Sequence, residues 1–534
     1  MKKLNLKLGK GPFKRLSEKM SPYCDCLNKI SVLLEMLGSI LINFVIEAFS
    51  RHSVVAAWKY LVKTPEVFFY NAFMIFVTFT FVHLVRRRVF ARIMVSALWL
   101  LIGISNGVML MKRVTPFNAQ DLKTFKEGLS LFTNYFSVPE LIVMVIGVSA
   151  FIIWCVLMFK YGGKYKGKMN RLVSLVCVIA SCAAYSFVTN WAIDQRVVST
   201  YFGNIAFAYQ DYGLPYCFCA SLFNTGISQP NGYTEEAIDD LGKGKDLTEV
   251  SEDAEVLPNI LFVQLESFFD TSEFTDLQTS EDPLPNLRKM FQEYSSGYFK
   301  VPSVGAGTAN TEFEVMTGMN MRFFGPGEYP FKTYLKEKTA ESAATALSAL
   351  GYGTHGLHNN GGNFYSRARV YNNAGYDTFT SKEFMNILQT TPNGWAKDEV
   401  LIQHMMEAMD TTEQQDFLMT ISVQGHGDYP EEQVIEDPKI KVEGIENEAL
   451  KNKWEYYVNQ VYEMDKFAGD LVKAVEDRGE PTVIVFYGDH LPTMGLQAED
   501  LKSRYLYNTN YVIWDNIGLE QQDKNIPAYQ IMSE

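Results

Sequence analysis

The chain has 534 residues, a formal net charge of −13 and a hydrophobic fraction of 47%. These averages hide two halves of opposite charge: residues 1–230 contain 25 Lys and Arg against 10 Asp and Glu, and residues 231–534 contain 23 against 51. A basic, apolar half before an acidic half indicates a membrane portion followed by a water-exposed portion. We expect no nucleic-acid partner. All seven cysteines lie in the first half, which excludes a disulfide scaffold for the second.

Five apolar stretches of the first half approach the roughly 20 residues that cross a bilayer. They lie at 30–49, 67–85, 90–111, 141–159 and 172–192. The first is the weakest because it contains Glu35 and Glu47, and an interfacial or buried helix is the alternative reading there.

The basic residues of the loops predict how these spans are oriented. The N-terminal tail and the loops at 86–92 and 160–171 hold 17 Lys and Arg, whereas the loops near 50–66 and 112–139 hold 7. Because cytoplasmic loops carry the excess of positive charge, the tail and the loops at 86–92 and 160–171 are predicted to be cytoplasmic. Five spans then place the acidic half outside the cell, in a multi-pass protein of the cell membrane.

We therefore predict a five-span transmembrane domain at 1–192, a connector at 193–255 and an extracellular catalytic domain at 256–534. The connector begins with many aromatic residues, which fit either the membrane interface or an ordinary packed linker. Pro527 resembles the first residue of a further helix near the end of the chain.

The third segment predicts an α/β domain with a mainly parallel sheet flanked by helices. Short apolar runs at 260–265, 417–423 and 483–487 alternate with helical stretches that include 340–350 and 455–476. Strands that alternate with helices are typical of parallel sheets.

Polar side chains follow the first and last of these predicted strands. Glu266 comes directly after the first strand, and Asp489 and His490 come directly after the last. Ligands of open α/β sheets bind beyond the carboxyl ends of the strands, so we expect these three side chains to meet there. Carboxylates and imidazole suit Mn²⁺, Zn²⁺ or Mg²⁺. The alternative is three unrelated polar residues at strand ends.

Thr308 follows Gly305 and Gly307 and precedes a helical run. The free N–H groups of a helix N-terminus favour an anion, and a nearby cation would allow the threonine hydroxyl to act as a nucleophile. The alternative is that Thr308 or Thr311 only caps the helix.

Two further segments supply residues suited to phosphate chemistry. His426 lies between glycines after a third strand, where it could transfer a proton or donate to a phosphate. The segment 356–367 contains His358, Asn360, Tyr365 and Arg367, and an arginine suits bidentate phosphate binding. The alternative, for each residue considered by itself, is an ordinary loop histidine or a surface arginine without a role in the site.

The order and approximate spacing of these motifs resemble the lipoteichoic acid synthase family, of the alkaline phosphatase and sulfatase superfamily. The motifs are Leu-Glu266-Ser, Gly-Thr308-Ala-Asn-Thr-Glu-Phe, His358 through Arg367, Gly-His426 and Tyr-Gly-Asp489-His490. The resemblance covers nearly the whole chain. It implies that Glu266, Thr308, Asp489 and His490 hold a divalent metal, Mn²⁺ first with Mg²⁺ or Zn²⁺ as alternatives. It also makes Thr308 the nucleophile.

The same resemblance implies that His358, Arg367 and His426 contact a phosphoglycerol group. Asn360 stands where that family tends to have an acid, and Tyr365 stands where it tends to have Trp. Both would lie in the head-group pocket, so a related donor or acceptor stays open. Because the acidic half would repel an anionic lipid, we expect a positive patch around Arg367 or a screen of cations.

The function that the resemblance implies is a phosphoglycerol transferase working at the lipid bilayer. It would move glycerol phosphate from phosphatidylglycerol, through a phosphothreonine, onto a glycolipid or a polyglycerolphosphate of the cell envelope. A phosphoethanolamine transferase of the same superfamily is the alternative, although such enzymes usually carry disulfides in the outer domain. A sulfatase is a weaker alternative, because sulfatases generally need Cys or Ser at the nucleophile position, where this chain has Thr308. A non-catalytic membrane scaffold is the alternative from another class.

Overall fold

The structure, a computed structural model, describes residues 26, 28–112, 115–123, 138–161, 164–200, 202, 205–223, 226–227, 232–242, 257–386 and 389–533. Most of the basic N-terminal tail and the last part of the predicted connector lie outside the described residues. The chain divides into two compact units, which are 1–225 with 325–327, and 226–324 with 328–534. We call them the membrane unit and the α/β unit.

The membrane unit contains helices and no strand among its described residues. Its helices are α1 (Ser31–Ser50), α2 (Val54–Lys63), α3 (Pro65–Thr80, continued as a 3₁₀ turn at Phe81–Leu84), α4 (Arg88–Lys112), α5 (Ala119–Lys123), α6 (Val138–Tyr161), α7 (Arg171–Asp194), α8 (Ile205–Tyr212) and α9 (Leu214–Phe223).

Four helices of the described chain are long and apolar enough to cross a bilayer. They are Ser31–Ser50, Pro65–Leu84, Arg88–Met111 and Arg171–Asp194, and they correspond to four of the five predicted stretches. The remaining stretch, 141–159, lies on α6, where a shorter apolar segment, Val145–Lys160, is recognised. The chain is therefore a membrane protein with an apolar helical N-terminal part.

The two acids of α1 are buried and paired, which explains how an apolar helix carries them. Glu35 accepts from Arg92 Nε at 2.8 Å and lies 2.8 Å from His83 Nε2. Glu47 accepts from Arg51 Nε at 3.1 Å. Charges inside a membrane domain are tolerated when they are paired in this way.

The aromatic start of the predicted connector belongs to the core of the membrane unit. Phe202, Tyr209 and Tyr216 are buried in one hydrophobic cluster with residues of α1, α3 and α4. The Tyr209 hydroxyl donates to the Phe117 carbonyl at 2.9 Å. This segment is packed as part of the membrane unit.

The α/β unit contains ten strands and eight α-helices among its described residues. The strands are β1 (Asn259–Leu265), β2 (Gln278–Thr279), β3 (Ser295–Lys300), β4 (Gly353–His358), β5 (Thr378–Ser381), β6 (Asp416–Ile421), β7 (Val442–Glu443), β8 (Thr482–Gly488), β9 (Asn508–Asp515) and β10 (Ile526–Pro527). The helices are α10 (Glu235–Gly242), α11 (Pro285–Glu293), α12 (Thr308–Thr317), α13 (Pro330–Thr333), α14 (Ala343–Ser348), α15 (Arg367–Asn373), α16 (Glu399–Met409) and α17 (Glu448–Arg478).

Eight strands form one sheet in the order β10-β3-β9-β8-β1-β6-β4-β5. The five strands from β8 to β5 are parallel to one another, whereas β9 runs antiparallel to both β8 and β3. The prediction of a mainly parallel sheet is confirmed.

The central strands are buried on both faces. Successive residues of a strand point to opposite faces, and Leu261, Phe262 and Val263 of β1 are all buried. Phe262 packs with Phe313 of α12 and Tyr371 of α15 in the main core. Burial of both faces explains why these strands read as continuous apolar runs in the sequence.

The end of the described chain differs in detail from the prediction. Ile526 and Pro527 form a short edge strand parallel to β3, and a 3₁₀ helix begins at Ala528. Pro527 is tolerated there because an edge strand does not need every N–H for the sheet.

Candidate active site

Neighbouring parallel strands bring four of the predicted site segments to one edge of the sheet. The strands β8, β1, β6 and β4 lie side by side, and their carboxyl ends precede Asp489, Glu266, His426 and His358, respectively, or end in them. In the register of β1 and β8, Leu265 pairs with Gly488, so Glu266 and Asp489 are next to each other.

Glu266, Asp489 and His490 form a compact buried cluster. One potential ligand atom from each of the three residues lies within 4.8 Å of the others. His490 Nε2 is 3.7 Å from Glu266 Oε1 and 3.4 Å from Asp489 Oδ2. The predicted juxtaposition of these three side chains is present in the fold.

Thr308 is the first residue of α12, and its hydroxyl faces this cluster. Thr308 Oγ1 lies 3.1 Å from Glu266 Oε2 and 3.4 Å from His490 Nε2. The preceding Gly307 has a φ of 107°, and a Cβ there would approach Ser303 Oγ to 2.6 Å. Glycine at 307 therefore permits the turn that presents Thr308 at the helix N-terminus.

Hydrogen bonds fix the cluster from several directions. Asp489 Oδ1 accepts from the backbone N–H of Ser267 at 2.7 Å and from that of His490 at 2.8 Å. The Thr311 hydroxyl donates to the Asp489 carbonyl at 2.7 Å, which joins α12 to the end of β8. Ser267 itself has a φ of 54°, a conformation that costs energy for a residue other than glycine and is typical of functional sites.

The chemistry of these donors fits a divalent cation. Asp489 Oδ2 is buried and has no hydrogen-bond partner among the described residues. His490 Nδ1 lies 2.9 Å from the Leu491 carbonyl, so Nδ1 carries the proton and the lone pair of Nε2 points into the cluster. Two carboxylates, one imidazole and a hydroxyl suit Mn²⁺, Mg²⁺ or Zn²⁺.

The electrostatics point the same way. Burial, followed by the negative charge of Glu266, raises the pKa of Asp489 to about 7. Burial lowers the pKa of His490, but Asp489 and Glu266 outweigh it and the net pKa is raised. Two adjacent buried acids are costly unless a positive charge compensates them, and a bound cation would provide that charge.

A second buried cluster surrounds Arg367 and begins one helical turn after Thr308. Glu312 of α12 accepts from Arg367 Nε at 3.0 Å and from Nη2 at 2.8 Å. It also accepts from the Tyr371 hydroxyl at 2.8 Å. Arg367 is 1% exposed, and its charge is compensated by Glu312. The positive patch expected around Arg367 is thus neutralised, because burial requires this guanidinium to be paired.

His358 completes this second cluster in its neutral form. Its Nδ1 lies 2.9 Å from the Ile421 carbonyl and therefore carries the proton, and its Nε2 accepts from Arg367 Nη1 at 3.1 Å. Burial, together with the charge of Arg367, holds the pKa of His358 well below its usual value. Both ring nitrogens are already occupied.

His426 follows β6 and is partly exposed, beside a residue that the sequence did not indicate. Its ring centroid is 4.3 Å from that of Trp395. His426 Nδ1 and Trp395 Nε1 are both buried atoms without a hydrogen-bond partner among the described residues. A ligand or water with polar groups would satisfy them.

Asn360 and Tyr365 lie on the loop between β4 and α15. The Asn360 side chain accepts from the Gly361 backbone N–H at 2.8 Å. The Tyr365 ring stacks on Tyr329 with centroids 5.5 Å apart, and Lys332 Nζ lies 4.9 Å from the Tyr365 centroid. Tyr365 has a φ of 56°.

Sequence reasoning assigned no role in the site to Glu312, although it lies within the Thr308 motif, and it did not single out Tyr371, Trp395 or Tyr329. Glu312 had one usable signal, since a residue four positions after Thr308 lies on the same face of the helix. The others are brought to the site by packing between segments that are distant in the sequence.

Comparison with known proteins identifies the family. The Sulfatase family profile matches residues 258–531, which is half of the chain. The chain belongs to the Sulfatase family. The predicted superfamily and fold are confirmed.

A curated relative is the putative cyclic beta-1,2-glucan modification protein of Rhizobium meliloti, 28% identical over 354 residues. That match covers 61% of this chain and 52% of the relative, so the chain spans about half the length of this relative.

Two solved structures of transferases are similar. The phosphoglycerol transferase GacH of Streptococcus pyogenes, in complex with sn-glycerol-1-phosphate, is 21% identical and covers 57% of this chain and 82% of its own, with a TM-score of 0.49. The lipooligosaccharide phosphoethanolamine transferase A of Neisseria meningitidis is 13% identical and covers 94% of this chain and 93% of its own, also with a TM-score of 0.49.

Proposed function

We propose that the protein is a metal-dependent phosphoglycerol transferase in which Thr308 is the nucleophile and phosphatidylglycerol is the donor. The observation that carries the proposal is the position of the Thr308 hydroxyl, at a helix N-terminus and 3.1 Å from a carboxylate of the Glu266, Asp489 and His490 cluster. A threonine that only capped the helix would not need three buried ionisable groups beside it.

Glu266, Asp489, His490 and the Thr308 hydroxyl would hold the metal, Mn²⁺ in our proposal. When bound, the divalent cation supplies positive charge that favours the alkoxide form of Thr308 and the anionic phosphoryl oxygens. The side chains themselves orient the hydroxyl: Glu266 accepts its hydrogen bond, and the backbone N–H groups at the start of α12 face an incoming phosphate.

The reaction would take two balanced steps. Thr308 Oγ1 attacks the phosphorus of phosphatidylglycerol, the bond from phosphorus to the diacylglycerol oxygen breaks, and diacylglycerol leaves with a proton. An acceptor hydroxyl then attacks the phosphorus of the phosphothreonine, the bond from phosphorus to Thr308 Oγ1 breaks, and a new phosphodiester forms. Thr308 Oγ1 takes up the proton that the acceptor hydroxyl loses. His426, with an unpaired Nδ1, is the group we assign to proton transfer in these steps.

His358 and Arg367 would act together with Glu312 at the head-group side of the site. Since Glu312 compensates the buried Arg367, the pair adds no net charge, and it would hold His358 and the start of α12 in position at the head-group side of the site. Asn360 and Tyr365 would border the glycerol.

The acceptor is either a polyglycerolphosphate or glycolipid of the envelope, or a soluble envelope glycan. The glycan is favoured by the relative named for cyclic beta-1,2-glucan modification. The proposed location is the cell membrane, with the α/β unit on the outer side, where it would meet the outer-leaflet donor.

The alternative is transfer of phosphoethanolamine by the same chemistry. The cysteine-free sequence from residue 220 onwards speaks against it in so far as such enzymes carry disulfides in the outer domain. Sulfate-ester hydrolysis is not proposed, because a sulfatase needs Cys or Ser at the nucleophile position for conversion to formylglycine. This chain has threonine there, at position 308.

The test uses the full chain in detergent with fluorescent phosphatidylglycerol or phosphatidylethanolamine and added Mn²⁺. We expect Mn²⁺-dependent release of diacylglycerol from phosphatidylglycerol and a phosphoglycerol adduct on Thr308 by mass spectrometry. Release from phosphatidylethanolamine alone would establish the alternative donor. Release from neither lipid, with no metal bound, would refute an enzymatic role.

A further inference from the structure

A pocket in the membrane unit is lined by none of the residues of the metal cluster and has no role in the proposed reaction. It has a volume of about 650 Å³, within the range of small-molecule sites. It lies between the end of α3, the start of α4 and the end of α6. Its apolar wall includes Phe81, Val85, Phe90, Met94 and Phe159, and its basic residues are Arg86, Arg87 and Lys164.

Two basic loops meet at this pocket. The Tyr165 N–H donates to the Arg86 carbonyl at 2.8 Å, and the guanidinium of Arg88 lies 3.7 Å from the Tyr165 ring centroid. The Phe90 and Phe159 rings are 5.3 Å apart in an edge-to-face arrangement. The loops at 86–92 and 160–171, predicted to share one side of the membrane, are therefore adjacent at the ends of their helices.

Not all basic side chains of the pocket are paired with an acid or a hydrogen-bond acceptor. Arg87 donates to the Phe159 carbonyl and covers the Phe159 ring at 4.4 Å. The exposed side chains of Arg86 and Lys164 make no hydrogen bond or ion pair with the described part of the chain. No acidic residue occurs among the described residues that line the pocket. Two uncompensated cations therefore border an apolar cavity.

We propose that this pocket binds an anionic phospholipid of the adjoining leaflet. The lipid phosphate would lie against Arg86 and Lys164, and the upper acyl chain would lie along Phe90 and Met94. Basic pockets at helix ends attract anionic head groups. A zwitterionic lipid is disfavoured because its head group has no net negative charge to compensate the two cations. The proposal does not depend on the reaction assigned to Thr308.

The test measures lipid retention by native mass spectrometry on the full chain, purified in neutral detergent and mixed with equal phosphatidylserine and phosphatidylcholine. Phosphatidylserine is the probe because it is anionic and is not the proposed donor. We expect the wild type to retain phosphatidylserine preferentially. The Arg86→Gln/Lys164→Gln variant should lose roughly tenfold or more of that retention.

The matched control is Lys59→Gln/Lys63→Gln, which removes two exposed cations of α2 that do not line the pocket. It should retain phosphatidylserine as the wild type does. An equal loss in the control would assign the preference to net charge and overturn the pocket.

A second variant keeps the proposal testable if the first fails to fold. Met94→Trp fills the apolar part of the pocket without changing any charge, and it should also reduce phosphatidylserine retention. Equal retention of the two lipids by the wild type, or unchanged retention in Met94→Trp, would overturn the assignment.

Discussion

The two buried clusters that share helix α12 differ in one respect: one places two acids beside a histidine, and the other pairs its acid with an arginine. At the N-terminus, Thr308 faces two acids and a histidine, and Asp489 Oδ2 has no hydrogen-bond partner among the described residues. One turn later, Glu312 is bonded by both Arg367 and Tyr371. The first arrangement is suited to receive a cation and a substrate. The second holds the helix in place.

Removing the nucleophile should give the largest effect. Thr308→Ala is expected to reduce diacylglycerol release by roughly a thousandfold or more, because it removes the hydroxyl that lies at the helix N-terminus beside both Glu266 and His490. Mn²⁺ binding should persist, since Glu266, Asp489 and His490 remain. Turnover is measured with fluorescent phosphatidylglycerol, and metal binding by calorimetry.

Thr317→Ala is the matched control, because it makes the same change at the other end of α12. Its turnover should stay within about twofold of the wild type. Normal turnover in Thr308→Ala would contradict the covalent mechanism.

Breaking the ion pair of Glu312 and Arg367 should reduce the stability of the fold more than it reduces metal binding. Glu312→Gln leaves the buried Arg367 without its counter-ion, which should lower the free energy of unfolding by about 3–5 kcal/mol. Urea titration of the full chain, followed by tryptophan fluorescence, measures the change. In Glu312→Leu/Arg367→Met, which removes both charges, much of the loss should be recovered. A double variant less stable than Glu312→Gln would show that the pair is not the cause.

A change in the cluster of Glu266, Asp489 and His490 should instead reduce metal binding more than it reduces the stability of the fold. Asp489→Asn is expected to weaken Mn²⁺ binding by roughly a hundredfold or more, because it removes one charged ligand. In chelator, the same variant should be slightly more stable than the wild type, because the repulsion between Asp489 and Glu266 is gone. Calorimetry and thermal unfolding with and without Mn²⁺ measure both effects. Unchanged Mn²⁺ affinity would exclude Asp489 as a ligand.

The smallest expected effect is at Glu314, which lies on α12 two residues after Glu312 and has no basic partner bonded to it in the part of the chain that the structure describes. Burial raises its pKa to about 7, from 4.5 for the unperturbed group. The unfolded chain therefore ionises Glu314 first, and the folded state loses stability as the pH rises from about 4.5 to about 7.

Glu314→Gln removes this penalty and can still accept from the Met321 N–H, now bonded at 2.7 Å. The variant should be about 1–3 kcal/mol more stable than the wild type at pH 8, with no gain near pH 4.5. Thermal unfolding at the two pH values measures the difference. A gain that is independent of pH would mean that ionisation of Glu314 is not its source.

The sequence by itself determined the metal cluster and the helix start. Glu266, Asp489 and His490 each follow a buried strand directly, and parallel strands must end at the same edge, so their proximity follows from local chain direction. The same reasoning, with the glycine before it, placed Thr308 at a helix N-terminus. The apolar spans and the α/β alternation were likewise readable, since both depend on local periodicity.

Only the tertiary structure decided which partners the longer side chains have. Arg367 was expected to provide positive charge for a phosphate, but it is buried against Glu312, 55 residues away in the chain. Trp395 reaches His426 only because their loops pack together. The end of a strand determines the position of a short side chain that follows it by one or two residues. The position of a long arginine or tryptophan side chain depends instead on which groups pair with it or bury it. The partners of such side chains come from segments that are distant in the sequence, and no local sequence pattern shows that these segments are in contact.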